Sequence, residues 1–211
     1  MTDSTVLDVL VTDPQSGLAT GLAKTVRRAI KAMDASGVGY CVIGAAALAA
    51  RGLPRMTRDL DVVVLSDDAE AAIRALRGAH FEASTPIGTP DSFESMIVFL
   101  DPKTQVDVDL LIAEGDPEAL AISEAPRAKL FGVEARVATL EHLLLLYLYS
   151  NQPRHLGDFA SIVQSGRADL GNAEKMLYEM HPEMLPDWRK RVKAALNPPA
   201  GPTKPKRRKS L

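Results

Sequence analysis

Two short apolar frames carry paired acids: Asp59-Leu60-Asp61 runs into Val62-Val63-Val64, and Asp107-Val108-Asp109 runs into Leu110-Leu111-Ile112. Side chains alternate faces along a strand, so the two carboxylates of each frame point the same way. Anions that close together at the mouth of an apolar strand repel each other and resist desolvation unless a cation sits between them. That is the chemistry of a magnesium site, and alternation alone does not choose between Asp107 and Asp109 as the contributor from the second strand. Upstream, Tyr40-Cys41-Val42-Ile43-Gly44 ends a buried strand on a glycine. Glycine lets the backbone turn sharply, and the free N–H groups opening the Ala-rich segment after it form a small positive cup suited to phosphate. A phosphate cup and a carboxylate pair on neighbouring strands can hold a nucleoside triphosphate with its metal.

The elements that must position these groups follow from periodicity. Leu22, Val26, Ile30 and Met33 recur at helical spacing beside Lys24, Arg27, Arg28 and Lys31, which predicts a helix over 18–35 stopped by Ser36-Gly37. Strands are expected over 40–43 and from Asp59, with a short helix to Arg51 and a Pro54-containing loop between them. Ser66-Asp67-Asp68 reads as the N-cap of a helix ending at Gly78, followed by a short strand over 80–83 and a Pro- and Gly-rich loop over 84–92. A hairpin of 96–100 with 106–112 turns on Asp101-Pro102-Lys103-Thr104. The stretch 114–129 is weakly helical and acidic, 133–138 alternates as a strand at the sheet margin, and Thr139 caps the next helix. Further helices are expected from Leu156 to a stop at Gln164-Ser165-Gly166, over 170–180 and over 183–196. The division is a core over 1–138, a helical subdomain over 139–197 and a basic tail over 198–211 that lacks apolar residues to bury.

With 211 residues, 46% of them hydrophobic and 25% charged, the chain suits one soluble domain with an appended lobe. No apolar run reaches the ~18 residues of a membrane span, and no basic segment precedes an apolar one at the start, so the expectation is a cytoplasmic protein without a membrane partner. The single cysteine, Cys41, lies in a buried strand and reads as a packed thiol. Of 25 basic residues five fall in the last eight positions, leaving 20 against 27 acidic, about −7 for the body. Such a body lacks the broad basic face of a general nucleic-acid binder, so any RNA contact is local.

The wording Ile43-Gly44, Ala47-Leu48, Gly52, then Arg55-x-Thr57-x-Asp59-Leu60-Asp61 resembles the nucleotidyltransferase superfamily that includes DNA polymerase β, and within it the bacterial AbiEii-type toxins and their relatives. The resemblance implies an α/β (α+β) fold: a minimal nucleotidyltransferase core of mixed sheet flanked by helices, with a C-terminal helical lobe. It selects Asp109 over Asp107 as the third carboxylate, since relatives read Val-Asp before an apolar stretch. It further implies that Asp59, Asp61 and Asp109 bind Mg²⁺ (or Mn²⁺) and carry catalysis. Gly44, Ala45, Arg55, Thr57, Tyr147, Arg154 and Asp158 then form the NTP-binding set, the last three within the layout Glu141, Leu143, Pro153, Arg154, Leu156, Asp158.

Two positions depart from the family pattern. Ala45 stands where Gly or Ser is usual, keeping the backbone donor without a hydroxyl, and Tyr147 stands where a Lys would neutralise triphosphate charge. What the resemblance implies is transfer of a nucleoside monophosphate from an NTP to a hydroxyl of RNA, a tRNA end or a protein, in a toxin paired with a cognate antitoxin. The alternative is a catalytically weak or inactive member acting as a binding or regulatory partner.

Overall fold

The computed structural model describes residues 18–89, 92–93 and 95–198. In chain order these form α1 (Leu18–Ser36), β1 (Tyr40–Val42), α2 (Gly44–Ala50), β2 (Asp59–Leu65), α3 (Ser66–Gly78), β3 (Glu82–Ala83), β4 (Gly88–Thr89), β5 (Ser92–Phe93), β6 (Met96–Asp101), β7 (Val106–Ala113), α4 (Asp116–Glu124), β8 (Arg127–Leu130), β9 (Val133–Arg136), α5 (Leu140–Leu148), α6 (Pro153–Ser165), α7 (Leu170–Met180), a 3₁₀ turn (Pro182–Met184) and α8 (Leu185–Leu196). The expected basic tail lies, from 199 onward, outside the described residues, as do the first 17.

Five strands make one mixed sheet in the order β1-β2-β7-β6-β3. β2 and β7 run parallel, and every other pairing in the sheet is antiparallel. The parallel register sets Asp59 opposite Asp107 and Asp61 opposite Asp109. Parity therefore puts all four acids on one face, while Leu60, Val62, Val64, Val106, Val108 and Leu110, each at most 1% exposed, fill the other. Helix α1 lies against β2 and β7 and packs on α3, burying the stripe of Leu22, Val26, Ile30 and Met33.

Several local expectations meet the structure with differences. The predicted Ser66-Asp67-Asp68 cap does not form: β2 runs straight into α3, so Leu65 occupies the N-cap position without a side-chain bond. The Asp68 carboxylate is instead taken by the Gly39 amide at 3.1 Å. The strand expected over 80–83 shrinks to Glu82–Ala83, because His80 adopts a left-handed φ of 64° as the chain leaves α3. Within the stretch read as weakly helical, α4 ends at Glu124 and a strand, β8, follows; it pairs with β9 in a separate two-stranded sheet joined to β1 by the Val42–Val137 bridge. Thr139 caps α5 as expected, accepting from the His142 amide at 3.2 Å while His142 Nδ1 accepts from the Thr139 amide. Cys41 is fully buried, and burial pushes its thiol up to about 12.

Candidate active site

A cavity of about 530 Å³ opens over the acidic face of the sheet, and its wall draws on β2, β7, the start of α4 and the junction between α5 and α6. Asp61 and Asp109 line it with Gly44, Arg55, Tyr147 and Arg154. Asp59 and Asp107, one strand step away, share the face but not the wall. The register thus separates the two candidates for the third carboxylate: Asp109 meets Asp61 in the cavity, and Asp107 meets Asp59 outside it.

The corner that brings α2 up to this face depends on glycine. Gly44 has φ +62°, a left-handed conformation, and a Cβ there would collide with the Asp61 carboxylate. Ile43 closes the corner through its amide, which donates to the Asp61 carbonyl at 3.1 Å. The first amides of α2 have no i−4 carbonyl, and no side chain caps them. Ala45 is fully buried behind Gly44 and does not line the cavity.

Charge accumulates on the carboxylates. Burial, then the neighbouring Asp59 and Asp109 charges, push Asp61 up to about 7, against pulls from Arg154 and Arg55. Burial, then Asp59 and Asp107, push Asp109 up to about 6, with Arg154 opposing. The Thr57 hydroxyl donates to Asp59 Oδ1, so Thr57 orients a carboxylate and does not face the cavity. Arg55 Nε donates to Asp158 Oδ2 at 3.0 Å, an ion pair across 103 residues that fixes the loop before β2 to α6. Asp158 is 7% exposed and lies outside the cavity wall, so its described role is to hold Arg55. Arg154, in the first turn of α6, acts on both Asp61 and Asp109.

Among the described residues no three His, Cys, Asp or Glu side chains stand together as a ready metal cage. The donor set still fits a hard divalent cation. Mg²⁺ is held by one or two carboxylates together with substrate phosphates and water, not by an all-protein cage; Asp61 and Asp109 are raised first by burial and then by neighbouring carboxylates, and a cation between them would offset both.

Other wall residues escaped the motif reading. Val63 and Leu111 floor the cavity two positions beyond Asp61 and Asp109, a placement that strand parity carries. Glu114 and Glu118 line it from the end of β7 and the first turn of α4, and Leu146, Ser150, Gln152 and His155 from α5, α6 and the link between them. Nothing in their local sequence marks those residues, because the cavity is made by α5 and α6 returning to a sheet face built tens of residues earlier.

No protein-family model matches the chain, and no curated protein matches it. Solved structures do. The solution structure of the antibiotic-resistance factor ANT(2'')-Ia aligns with TM-score 0.54 at 16% identity, covering 83% of this chain and 95% of that one. A crystal structure of ANT(2'')-Ia in complex with adenylyl-2''-tobramycin aligns with TM-score 0.53 at 14% identity, covering 77% of this chain and 98% of that one. At these identities the likeness is one of fold alone: a five-stranded mixed sheet flanked by eight α-helices among the described residues.

Proposed function

We propose that the protein is a metal-dependent nucleotidyltransferase that moves a nucleoside monophosphate from an NTP to a hydroxyl on an acceptor. The observation that supports it most is the meeting of Asp61 and Asp109, on parallel partner strands, beneath the Gly44 corner in one cavity. Asp61 and Asp109 would hold Mg²⁺ or Mn²⁺, and Asp59, expected to join them, shares their face of the sheet but lies outside the cavity wall. When bound, the ion supplies charge neutralisation on the attacked phosphate and the departing pyrophosphate. Arg55 and Arg154 face the phosphate oxygens, for which a planar guanidinium is matched in shape. The Gly44 backbone, in the cavity wall, offers a further donor. In the transfer, the acceptor oxygen bonds to the α-phosphorus, the bond to pyrophosphate breaks, and the hydroxyl proton passes to the Asp109 carboxylate.

The sequence resemblance favours RNA, a tRNA end or a protein as acceptor, in a toxin countered by an antitoxin. Glu114 and Glu118 line the same cavity and favour a different acceptor, a small amine-bearing compound, since carboxylates repel an RNA backbone. ANT(2'')-Ia was crystallised with adenylylated tobramycin, itself such a compound. A second reading, a weakly active or inactive binding partner, is supported by the neutral Tyr147 in the wall and by Ala45, which is buried and has no hydroxyl. Incubation of the protein with each α-labelled NTP, Mg²⁺ or Mn²⁺, and in turn bulk RNA, a lysate protein pool or an aminated sugar tests both. Label transfer that Asp61→Asn abolishes supports the enzyme; no transfer to any acceptor by a folded, NTP-binding protein favours the binding partner.

A further inference from the structure

Lys24, Arg27, Arg28 and Lys31 recur along α1 at helical spacing, in a single stripe about 10 Å long. With Lys103 and Thr104 of the β6–β7 turn they line a depression of about 280 Å³, and among the described residues no carboxylate lines it. A Cβ on Gly21 of the same helix would meet Val106 Cγ2 at 3.6 Å, so α1 lies on the apolar side of the sheet. The depression is therefore behind the sheet from the cavity that holds Asp61 and Asp109.

Two of the five cations are fixed in place. Arg28 is bonded to the fully buried Asp101 and, through Nη2, to the Ala79 carbonyl at 2.6 Å, with its guanidinium 4.9 Å from the centre of the Phe81 ring. Arg27 Nη1 donates to the Phe131 carbonyl at 2.8 Å. A guanidinium has five N–H groups, so both arginines keep donors to spare. Lys24, Lys31 and Lys103 are exposed, and among the described residues none of them pairs with a carboxylate. Five of the body's 20 basic residues thus gather on one face of a body that carries about −7. Such a concentration attracts anions where the rest of the surface repels them.

We propose that this stripe of α1, with Lys103, is the docking surface for an acidic polypeptide segment of a partner protein. A nucleic acid fits it less well. Five cations are fewer than the roughly 6–10 phosphate contacts of a protein held by the backbone of DNA. No aromatic side chain lines the depression for a base to stack on, since Phe81 is 2% exposed and lies under Arg28. A long polyanion would also meet the acidic body beyond the stripe, whereas a short acidic segment meets the stripe alone. A partner seated there leaves the cavity open, and its docking does not depend on the chemistry proposed for the cavity.

The test is fluorescence anisotropy of labelled decaglutamate and labelled decauridylate with the full chain at low salt. Decaglutamate should bind the wild type, and Lys24→Glu/Lys31→Glu/Lys103→Glu should weaken it roughly tenfold or more. The milder Lys24→Gln/Lys31→Gln/Lys103→Gln should fall about half as far on a logarithmic scale, and both should melt within about 2 °C of the wild type because the three side chains are exposed. Changing Lys204, Lys206, Arg207, Arg208 and Lys209 to Gln should leave the affinity within about threefold. Equal binding by the wild type and the triple Glu variant, or a loss confined to the tail variant, overturns the proposal. So does an absence of decaglutamate binding, and so does tighter binding of decauridylate that the same three lysines support, which would make the surface one for nucleic acid.

Discussion

Replacing Asp61 by Asn should stabilise the free protein while disabling it. The Asp61 carboxyl sits at a pKa of about 7 against an ordinary 3.8, raised by burial and then by Asp59 and Asp109. Each unit is worth about 1.4 kcal/mol, so ionising this group in the folded chain at pH 8 costs roughly 4 kcal/mol, and Asn recovers roughly 2–4 kcal/mol of it. The sign follows from proton binding. Between the unfolded pKa and the folded one, the folded chain keeps a proton that the unfolded chain releases, so wild-type stability falls as pH rises from about 4 to about 7 and levels off above. Asn has no proton to lose and lacks that slope. Urea unfolding in EDTA without nucleotide, at pH 5 and pH 8, reads the effect: the variant's advantage at pH 5 should be roughly two-fifths of its size at pH 8. An advantage equal at both pH values, or a loss at pH 8, refutes the claim that Asp61 carries uncompensated charge.

Gly44→Ala places a methyl against the Asp61 carboxylate on a left-handed backbone, and should cost roughly 1–3 kcal/mol and abolish Mg²⁺–NTP binding; a variant with wild-type melting and affinity would show that the corner has slack. Asp101 is fully buried at the end of β6, and although burial alone would raise it, the Lys103 amide, Arg28 and Thr25 outweigh that and hold its pKa below the ordinary value. Its stabilisation is present above the unfolded pKa and is lost as pH falls through the lower folded one, so Asp101→Asn should cost roughly 3–5 kcal/mol at pH 7, with the difference narrowing in acid; circular-dichroism melts across pH 3–7 would detect a constant difference that contradicts this. Arg191→Ala removes the α8 brace on the Tyr147 and Ser150 carbonyls and should weaken Mg²⁺–NTP binding roughly threefold to tenfold without touching ligand; unchanged calorimetric affinity in the folded variant would deny the helical lobe a part in shaping the cavity.

Much of this site is local in the chain and was therefore legible in it. Asp59, Asp61 and the hairpin carrying Asp109 follow from strand parity and turn chemistry, and Gly44 from the need for a sharp corner after a buried strand. What the sequence could not show is which groups meet across the fold. Arg55 finds Asp158 more than a hundred positions away, which makes Asp158 a holder of Arg55 and leaves Arg154 the freer guanidinium. Asp107 and Asp109 are equivalent by alternation and are separated only by where α5 and α6 close the cavity. The failed Ser66-Asp67-Asp68 cap has the same origin: a local cap competes with a tertiary partner, and the Gly39 amide takes the Asp68 carboxylate. Strand β8 was missed because four residues, Arg127 to Leu130, are too few for a period to emerge.

Whether one cavity binds an NTP with its divalent ion through Asp61 and Asp109 is measured directly by calorimetric titration of Mg²⁺–NTP into the wild type, Asp61→Asn, Asp109→Asn and Asp107→Asn. Binding by the wild type and by Asp107→Asn, with at least a tenfold loss in the other two, is the predicted result. Equal affinity in all four would contradict it.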